Sequence, residues 1–523
     1  MTALHPPFRS RTLGDLVDEM AERNPCAPLA CDSTGRRATY GEFAERTDRI
    51  ATWFAQQGLR QGDRVALLMG NRLDWLELAV GAHKRGLTAV PMSTWLRARE
   101  IEQVLRDSGA HAIVSSERMR RNDYRELLAE VPPSAPGRDR LVFWDKAAPG
   151  IAVLERYASR TPVRASAPAF ILYTSGSTAA PKGVILSHGD AIENAYNIGE
   201  RMHLSADDRV FLAAPLFWSF GAVNALPALL THGGGLVLQE AFEPGGALDL
   251  IERERCTVFY GMINMVRSLV EHPAFAPDRV ASLRTGLTIG SPSNLAYTKN
   301  LLGIDRICNV YGLTETYGNC CVSDAADPDE IRFQAQGRPL PGNVLRIVDD
   351  AGVACPAGTA GSVEVRGYTA HYTSARLDAA QYTVDGFFRT GDIGFLDENG
   401  LFHFQARDNE MIKTGGINVA PAEVEEVLRL HPAVKEAYVV GVPDTIKDES
   451  VVAFIITHGK VLGAAELTPF CRTRLASYKI PSRFEMLDAA AVPLTPTGKV
   501  HRRGLRAIAR RLFESVESRN AGC

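Results

Sequence analysis

Tyr173-Thr174-Ser175-Gly176-Ser177-Thr178-Ala179-Ala180-Pro181-Lys182-Gly183 places four Ser/Thr hydroxyls, two glycines and a lysine directly after the apolar run Ala169-Phe170-Ile171-Leu172. A short strand is expected there, running into a flexible loop and then into a helix or a strand. Glycines let the backbone approach a ligand closely. Backbone amides and hydroxyls then offer donors to phosphate oxygens, and Lys182 supplies charge. The Walker A pattern Gly-x4-Gly-Lys-[Ser/Thr] is absent, so any polyphosphate site here is of another kind. Read alone, the stretch fits such a site and fits equally a solvated Ser/Thr/Gly connection.

Upstream, Arg64-Val65-Ala66-Leu67-Leu68-Met69 and Ala110-His111-Ala112-Ile113-Val114 read as short buried strands, and Leu73–Arg85 and Ala98–Ser108 as helices. That alternation predicts an α/β fold with largely parallel sheets. From about Arg338 the texture changes. Val344–Val348, Gly361–Arg366 and Gly400–Gln405 read as strands between Gly/Asp/Asn turns, a small β-rich subdomain at about 338–406. Val419–Leu430 reads as a helix opening near Pro421, with Glu423, Glu425 and Glu426 on its exposed side. Glu436–Val442 and Val451–Thr457 follow as strands, giving a compact α+β unit at the C-terminal end.

The chain has 523 residues, room for two or more domains and a large core. With 58 basic against 61 acidic residues, net charge is −3, which gives no global argument for nucleic acid or an anionic membrane. The nine cysteines form no Cys-x2-Cys pair, so no zinc framework or dithiol centre is expected, and Cys320-Cys321 read as packing residues. Met1–Arg11 has no apolar signal core and no membrane-length apolar run occurs. A cytoplasmic setting is expected. The basic tail from His501-Arg502-Arg503 through Arg506, Arg510 and Arg511 reads as a solvated helix face.

Four more motifs follow the first in fixed order: Tyr311-Gly312-Leu313-Thr314-Glu315, Phe388-Arg389-Thr390-Gly391-Asp392, Phe404 to Gly416, and Pro493-Leu494-Thr495-Pro496-Thr497-Gly498-Lys499. Together with the Ser/Thr/Gly loop they resemble the signatures of the adenylate-forming superfamily: acyl-CoA synthetases, aryl-CoA ligases, peptide-synthetase adenylation domains and luciferases. The resemblance covers essentially the whole chain and is nearest in type to an acyl-CoA ligase. It implies a large N-terminal domain (1–408) of two α/β subdomains plus the β-rich one, and a smaller mobile α+β C-terminal domain (409–523). It implies an acid activated by ATP to an acyl-adenylate with release of pyrophosphate, then passed to coenzyme A with release of AMP.

The resemblance carries over residue by residue. Thr174, Ser175, Gly176, Ser177, Thr178 and Lys182 hold the β- and γ-phosphates. Glu315 is the magnesium ligand, a role suited to Mg2+, which takes few protein carboxylates and completes its shell from phosphate and water. Thr314 suits the α-phosphate and Tyr311, with Gly312, adenine. Gly290, Ser291 and Pro292 line the adenine pocket and Asn309 bonds the adenine amine. Asp392, read in a tight polar turn, accepts the ribose hydroxyls, as acidic residues do in other nucleotide sites, and Arg407 also contacts the nucleotide. Two anions must meet in adenylation, so fixed positive charge is the main need, and Lys499 bridges carboxylate and α-phosphate. Trp218, Phe220 and Gly221, in Pro215–Gly221, with Met262, form the acyl pocket. Asn409 stands at the interdomain hinge, and Lys413, Gly415 and Gly416 approach pantetheine in the thioester-forming state. The implied partners are a small carboxylic acid, ATP, Mg2+ and coenzyme A, or the phosphopantetheine of an acyl carrier protein.

Three positions depart from the family pattern. Ala179 stands where glycine is usual, which costs about 1–2 kcal/mol if the site needs a positive φ. Asn409 replaces a charged hinge residue but still tolerates left-handed backbone. Trp218 stands near the place of a common histidine, and no aspartate occurs between Phe211 and Asn224 to hold an ammonium, which argues against an α-amino acid substrate. A medium-chain, alicyclic or aromatic acid is expected. The competing readings are transfer to a carrier protein or another nucleophile, a non-catalytic nucleotide or acyl binder, and a kinase or ATPase yielding ADP.

Overall fold

A computed structural model describes residues 8–157, 162–174, 182–212, 214–414, 417–444, 448–459, 462–475, 477–495 and 500–520. The fold is mixed α/β with several sheets. Contacts divide the chain into two units. The first holds Met1–Gly290, Asn294–Leu345 and Val365–Phe388; the second holds Ser291–Ser293, Arg346–Glu364 and Arg389–Cys523.

The first unit is built on two large sheets. In the seven-stranded sheet the order is His371–Tyr372, Lys182–Ser187, Pro168–Thr174, Thr88–Pro91, Arg64–Leu68, Ala112–Ser115 and Leu141–Phe143. From Pro168–Thr174 to Leu141–Phe143 the neighbours run parallel. Pro168–Thr174 and Lys182–Ser187 are antiparallel, with Thr174 opposite Lys182. The Ser/Thr/Gly stretch therefore connects two adjacent strands, not a strand and a helix. The nine-stranded sheet is parallel through Pro28–Asp32, Gly235–Leu238, Arg209–Leu212, Val258–Tyr260, Thr285–Thr288 and Arg306–Tyr311. Antiparallel strands close it at both edges.

Local sequence explains the element ends. Leu73–Arg85 stops at Gly86, whose φ of 78° is the left-handed cap glycine supplies. Tyr40–Gln56 opens on a capping box between Thr39 and Glu42. Leu73–Arg85 is buried almost all round, charged residues included. Asp74 and Glu77 are neutralised by Arg36, Arg72 and Arg46. Lys84, with no exposed side-chain surface, sits 2.6 Å from Asp18 and 2.8 Å from Asp48.

The second unit contains most of a four-stranded sheet and a five-stranded C-terminal sheet. Val344–Val348 and Gly361–Arg366 occupy the expected spans. The third expected strand runs Phe402–Arg407, not Gly400–Gln405. Asp397 accepts the amides of Asn399 and Leu401, and Gly400 takes a φ of 72°, so the turn extends into the expected strand. The C-terminal helix spans Pro421–Arg429, because Val419 is drawn into Ile417–Val419 against Ile412. Its Glu425 is not exposed: it is 3% exposed, accepts the Val439 amide, and pairs with Arg502 and Arg429. Burial raises its pKa, and the two guanidiniums outweigh that and hold it below the usual range. Arg502 accordingly turns inward from the basic tail, also donating to the Val439 carbonyl at 2.9 Å. The eight cysteines among the described residues are all free thiols, Cys320 and Cys321 included. Among the described residues no helix is long and apolar enough to cross a membrane.

Candidate functional site

The strands flanking the Ser/Thr/Gly loop are tied at its foot. Asp107 accepts from Tyr173 Oη at 2.7 Å and from Thr373 Oγ1 at 2.8 Å, and the Thr373 amide donates to the Gly183 carbonyl. Thr174 and Lys182 thus leave and re-enter a fixed hairpin. Ser175, Gly176, Ser177, Thr178 and Ala179 lie outside the described residues.

His371–Tyr372 pairs with Lys182–Ser187, Tyr372 facing Val184. Tyr372 Oη donates to Glu315 Oε1 at 2.6 Å, and Lys182 Nζ stands 5.9 Å from the centroid of the same ring. Glu315 is buried at 7% exposure, and its carbonyl accepts the Ala370 amide. Burial, and then the Glu315 charge, push the Tyr372 phenol well above its usual range, so it stays a neutral donor. Loop lysine and motif glutamate are thereby joined through one tyrosine that sequence reasoning did not single out. The only signal for it was its place in a short Gly367-Tyr368-Thr369-Ala370-His371-Tyr372 run, which reads as a polar connection.

Tyr311 ends the strand Arg306–Tyr311, and Gly312 begins the turn to Thr314 and Glu315. A Cβ on Gly312 would lie 2.4 Å from the Gly318 carbonyl oxygen and 2.5 Å from Asn319 Cα, so only glycine lets the turn close. Thr314 Oγ1 is 3.4 Å from Ser219 Oγ, which brings this motif to the segment carrying Trp218, Phe220 and Gly221. Asn309 lies wholly within the core: its Nδ2 lies 3.2 Å from the Ala335 carbonyl and 3.4 Å from that of Gly290, while its Oδ1 accepts the Val310 amide. It braces Gly290 and Val310 from within the core.

Phe220 opens a π-helical turn, Phe220–Ala225, and its ring lies 5.1 Å from that of Tyr260. Trp218 is half-buried and meets Trp95 edge-on at 5.8 Å, and Phe217 meets Trp95 at 5.1 Å. Trp95, 38% exposed, completes an aromatic cluster that the sequence could not signal, since more than a hundred residues separate it from its partners. Met262 caps the helix Ile263–Val270 and is half-buried.

In the second unit Asp392 and Arg407 are register partners in the antiparallel pair of Phe388–Leu396 and Phe402–Arg407. Arg407 Nε lies 2.8 Å from Asp392 Oδ1; the carboxylate is 1% exposed. Asp392 sits inside a strand, not in a tight turn, with Gly391 at a φ of 71° before it. Thr390 Oγ1 donates to the Val363 carbonyl and accepts the Asp392 amide. Ser291 Oγ lies 3.0 Å from Ser293 Oγ, and Pro292 opens the helix Pro292–Leu302. Asn409 falls in a single helical turn, Asp408–Glu410, and Lys413 in the strand Ile412–Thr414. Gly415, Gly416 and Lys499 lie outside the described residues.

Residues 17–371 match the family of AMP-binding enzymes, and residues 423–499 match the AMP-binding enzyme C-terminal domain. The chain is 33% identical to a feruloyl-CoA synthase of Amycolatopsis sp, over 94% of this chain and 98% of that protein. It is 32% identical to the fatty acid–[acyl-carrier-protein] ligase ScoC of Streptomyces coeruleorubidus, over 97% and 98%. Among solved structures, ATP-bound MatB from Rhodopseudomonas palustris matches with a TM-score of 0.86 and 25% identity, covering 96% of this chain and 99% of that one.

Proposed function

The chain belongs to the family of AMP-binding enzymes and is an ATP-dependent acid–thiol ligase of the AMP-forming acyl-CoA synthetase type, and on that premise we propose how its residues divide the work. The observation that carries the assignment is the buried Glu315 carboxylate, fixed by Tyr372 beside Lys182 at the foot of the hydroxyl-rich loop. The loop from Thr174 to Thr178 holds the β- and γ-phosphates with Lys182, and Thr314 meets the α-phosphate. Glu315 fits Mg2+: Tyr372 engages one carboxylate oxygen and leaves the other for the metal, which needs few protein ligands. The ion, when bound, neutralises phosphate charge.

The acid's carboxylate attacks the α-phosphorus of ATP, and pyrophosphate leaves. Lys499 offsets the repulsion between the two anions. Tyr311, Gly290, Ser291 and Pro292 line the adenine site, Asp392 accepts the ribose hydroxyls and Arg407 orients that carboxylate. The coenzyme A sulfur then attacks the acyl carbon, AMP leaves, and Lys413, Gly415 and Gly416 border the pantetheine. Asn409 is the pivot between the two half-reactions, with residues 409–523 as the moving part. Trp218, Phe220, Gly221 and Met262, with Trp95, form the wall for an apolar acid body. The aromatic cluster supports an aromatic acid, and the relative named feruloyl-CoA synthase supports the same class.

A carrier-protein acceptor is the second reading, supported by the relative named as a fatty acid–[acyl-carrier-protein] ligase. The test is formation of pyrophosphate and AMP with a panel of aromatic, alicyclic and straight-chain acids, comparing coenzyme A with a phosphopantetheinylated carrier protein. Acid-dependent AMP with thioester on coenzyme A is expected, and Lys499→Ala is expected to abolish adenylation while circular dichroism stays unchanged. Full adenylation by Lys499→Ala would remove that lysine from the mechanism, and ADP as product would remove adenylation itself.

A further inference from the structure

Asn224 has no exposed surface and sits in the π-helical turn Phe220–Ala225 that follows Trp218 and Ser219. Single π turns are rare and recur at functional sites. The Asn224 Oδ1 is engaged by Tyr260, whose hydroxyl lies 3.1 Å away and whose ring packs on Phe220. Its Nδ2 has no acceptor among the described residues. That nitrogen lies beside Gly318: a methyl built on Gly318 would lie 3.6 Å from Nδ2 and 3.6 Å from the Ser219 carbonyl oxygen and Cβ. Gly318 has a φ of 90°, so side chains are disfavoured there. Ser219 is in turn the residue that meets Thr314 of the Tyr311–Glu315 motif, at 3.4 Å. A buried amide donor without an acceptor is destabilising, and native proteins hold few of them. Here it faces the junction of two segments that carry the proposed acyl and adenylate sites.

We infer that Asn224 is a specificity-determining residue whose amide receives an oxygen acceptor on the body of the acid, remote from the reacting carboxylate: a phenol, aryl ether or ketone oxygen. This inference rests on the ligase reading above and narrows its substrate class from apolar acids to acids that carry such an oxygen. Phe220 and Tyr260 supply apolar contact around one polar fixing point, the usual composition of a small-molecule pocket. A site built to hydrogen-bond an oxygen rejects the analogue lacking it far more strongly than an apolar pocket rejects an added group.

The experiment measures kcat/KM for AMP formation on matched pairs, cinnamate with ring-hydroxylated and ring-methoxylated cinnamates, and benzoate with hydroxybenzoates, in the wild-type chain and in Asn224→Leu. The wild type is expected to favour at least one oxygenated member by about tenfold or more. Asn224→Leu is expected to bring that ratio to near unity by losing activity on the oxygenated acid, with the KM for ATP unchanged. Equal use of all pairs by the wild type, or an unchanged ratio in Asn224→Leu, overturns the inference while acid-dependent AMP formation upholds the ligase reading. Absence of AMP with every cinnamate and benzoate overturns the inference, and AMP formed with straight-chain or alicyclic acids then upholds the ligase reading. If Asn224→Leu does not fold, Asn224→Ser, which keeps a donor, is expected to retain part of the preference, and a ratio of unity in that variant counts against the inference.

Discussion

Tyr372 shows how much of this site turns on single atoms. Its hydroxyl fixes one oxygen of Glu315 and its ring lies under Lys182, so one side chain orients the carboxylate and the cation together. Groups that orient a metal-binding carboxylate typically govern affinity or activity by about 10–100-fold. Tyr372→Phe keeps the ring and deletes the hydrogen bond. It is expected to slow pyrophosphate release by that factor and to raise the Mg2+ concentration needed for half-maximal rate, while leaving the melting temperature nearly unchanged; an unaltered Mg2+ dependence would remove Tyr372 from the metal site. His83 is a second residue with a measurable signature. It is buried against Phe170 and His188, with Nε2 2.9 Å from the Ala169 carbonyl, and burial lowers its pKa from 6.5 to about 4. Between those values the unfolded chain binds the proton and the folded chain does not, so stability is complete above pH 6.5 and falls as pH drops toward 4. At about 1.4 kcal/mol per pH unit the loss by pH 4 is about 3 kcal/mol. His83→Gln, which keeps a donor for Ala169, is expected to flatten the acid limb of the stability–pH curve by about one proton. Superimposable slopes in chemical denaturation would contradict this.

At the level of elements, the helix Leu73–Arg85 is packed on every side and carries charge into the core only where partners meet it. Lys84 is held by Asp18, Asp48 and the Ala44 carbonyl, with Asp48 only 2% exposed. Removing one member of a buried pair leaves an uncompensated charge and costs about 3–5 kcal/mol. Lys84→Met is expected to lower urea stability by that amount without changing the products of catalysis, and Lys84→Met combined with Asp48→Leu to recover part of it. Equal stability of Lys84→Met and wild type would mean that water reaches this pair. The span of this helix was legible because its apolar positions and Gly86 agree. Glu425 was misread for the opposite reason. A glutamate in a helix that opens Pro-Ala-Glu-Val-Glu-Glu reads as solvated, and its burial depends on Arg502, which lies 77 residues away in the chain.

On the scale of the molecule, each unit has its own apolar core. The second is built from residues such as Val424, Leu428, Val439 and Ile455, with a smaller cluster around Phe454 and Leu505. Arg502 ties that unit together through Glu425, Glu410 and the Val439 carbonyl. Arg502→Met is expected to strip Glu425 of its main partner and destabilise this unit by about 3 kcal/mol or more. Differential scanning calorimetry should then show one transition moving down while the transition of the first unit stays in place; a common shift of all heat absorption would show that the units unfold as one.

The ordered motifs determined the family and the reaction through their resemblance to the signatures of adenylate-forming enzymes, and the alternation of strand-like and helical stretches determined the α/β class. Hydrophobic runs and cap residues likewise determined most strands and helices, since those signals act within a few residues. What only the tertiary structure decided are the long-range pairings: Tyr372 with Glu315, Trp95 with Trp218, Arg502 with Glu425, and the buried donor of Asn224. Each depends on where a side chain ends up after distant segments pack, and no local pattern in the chain carries that information.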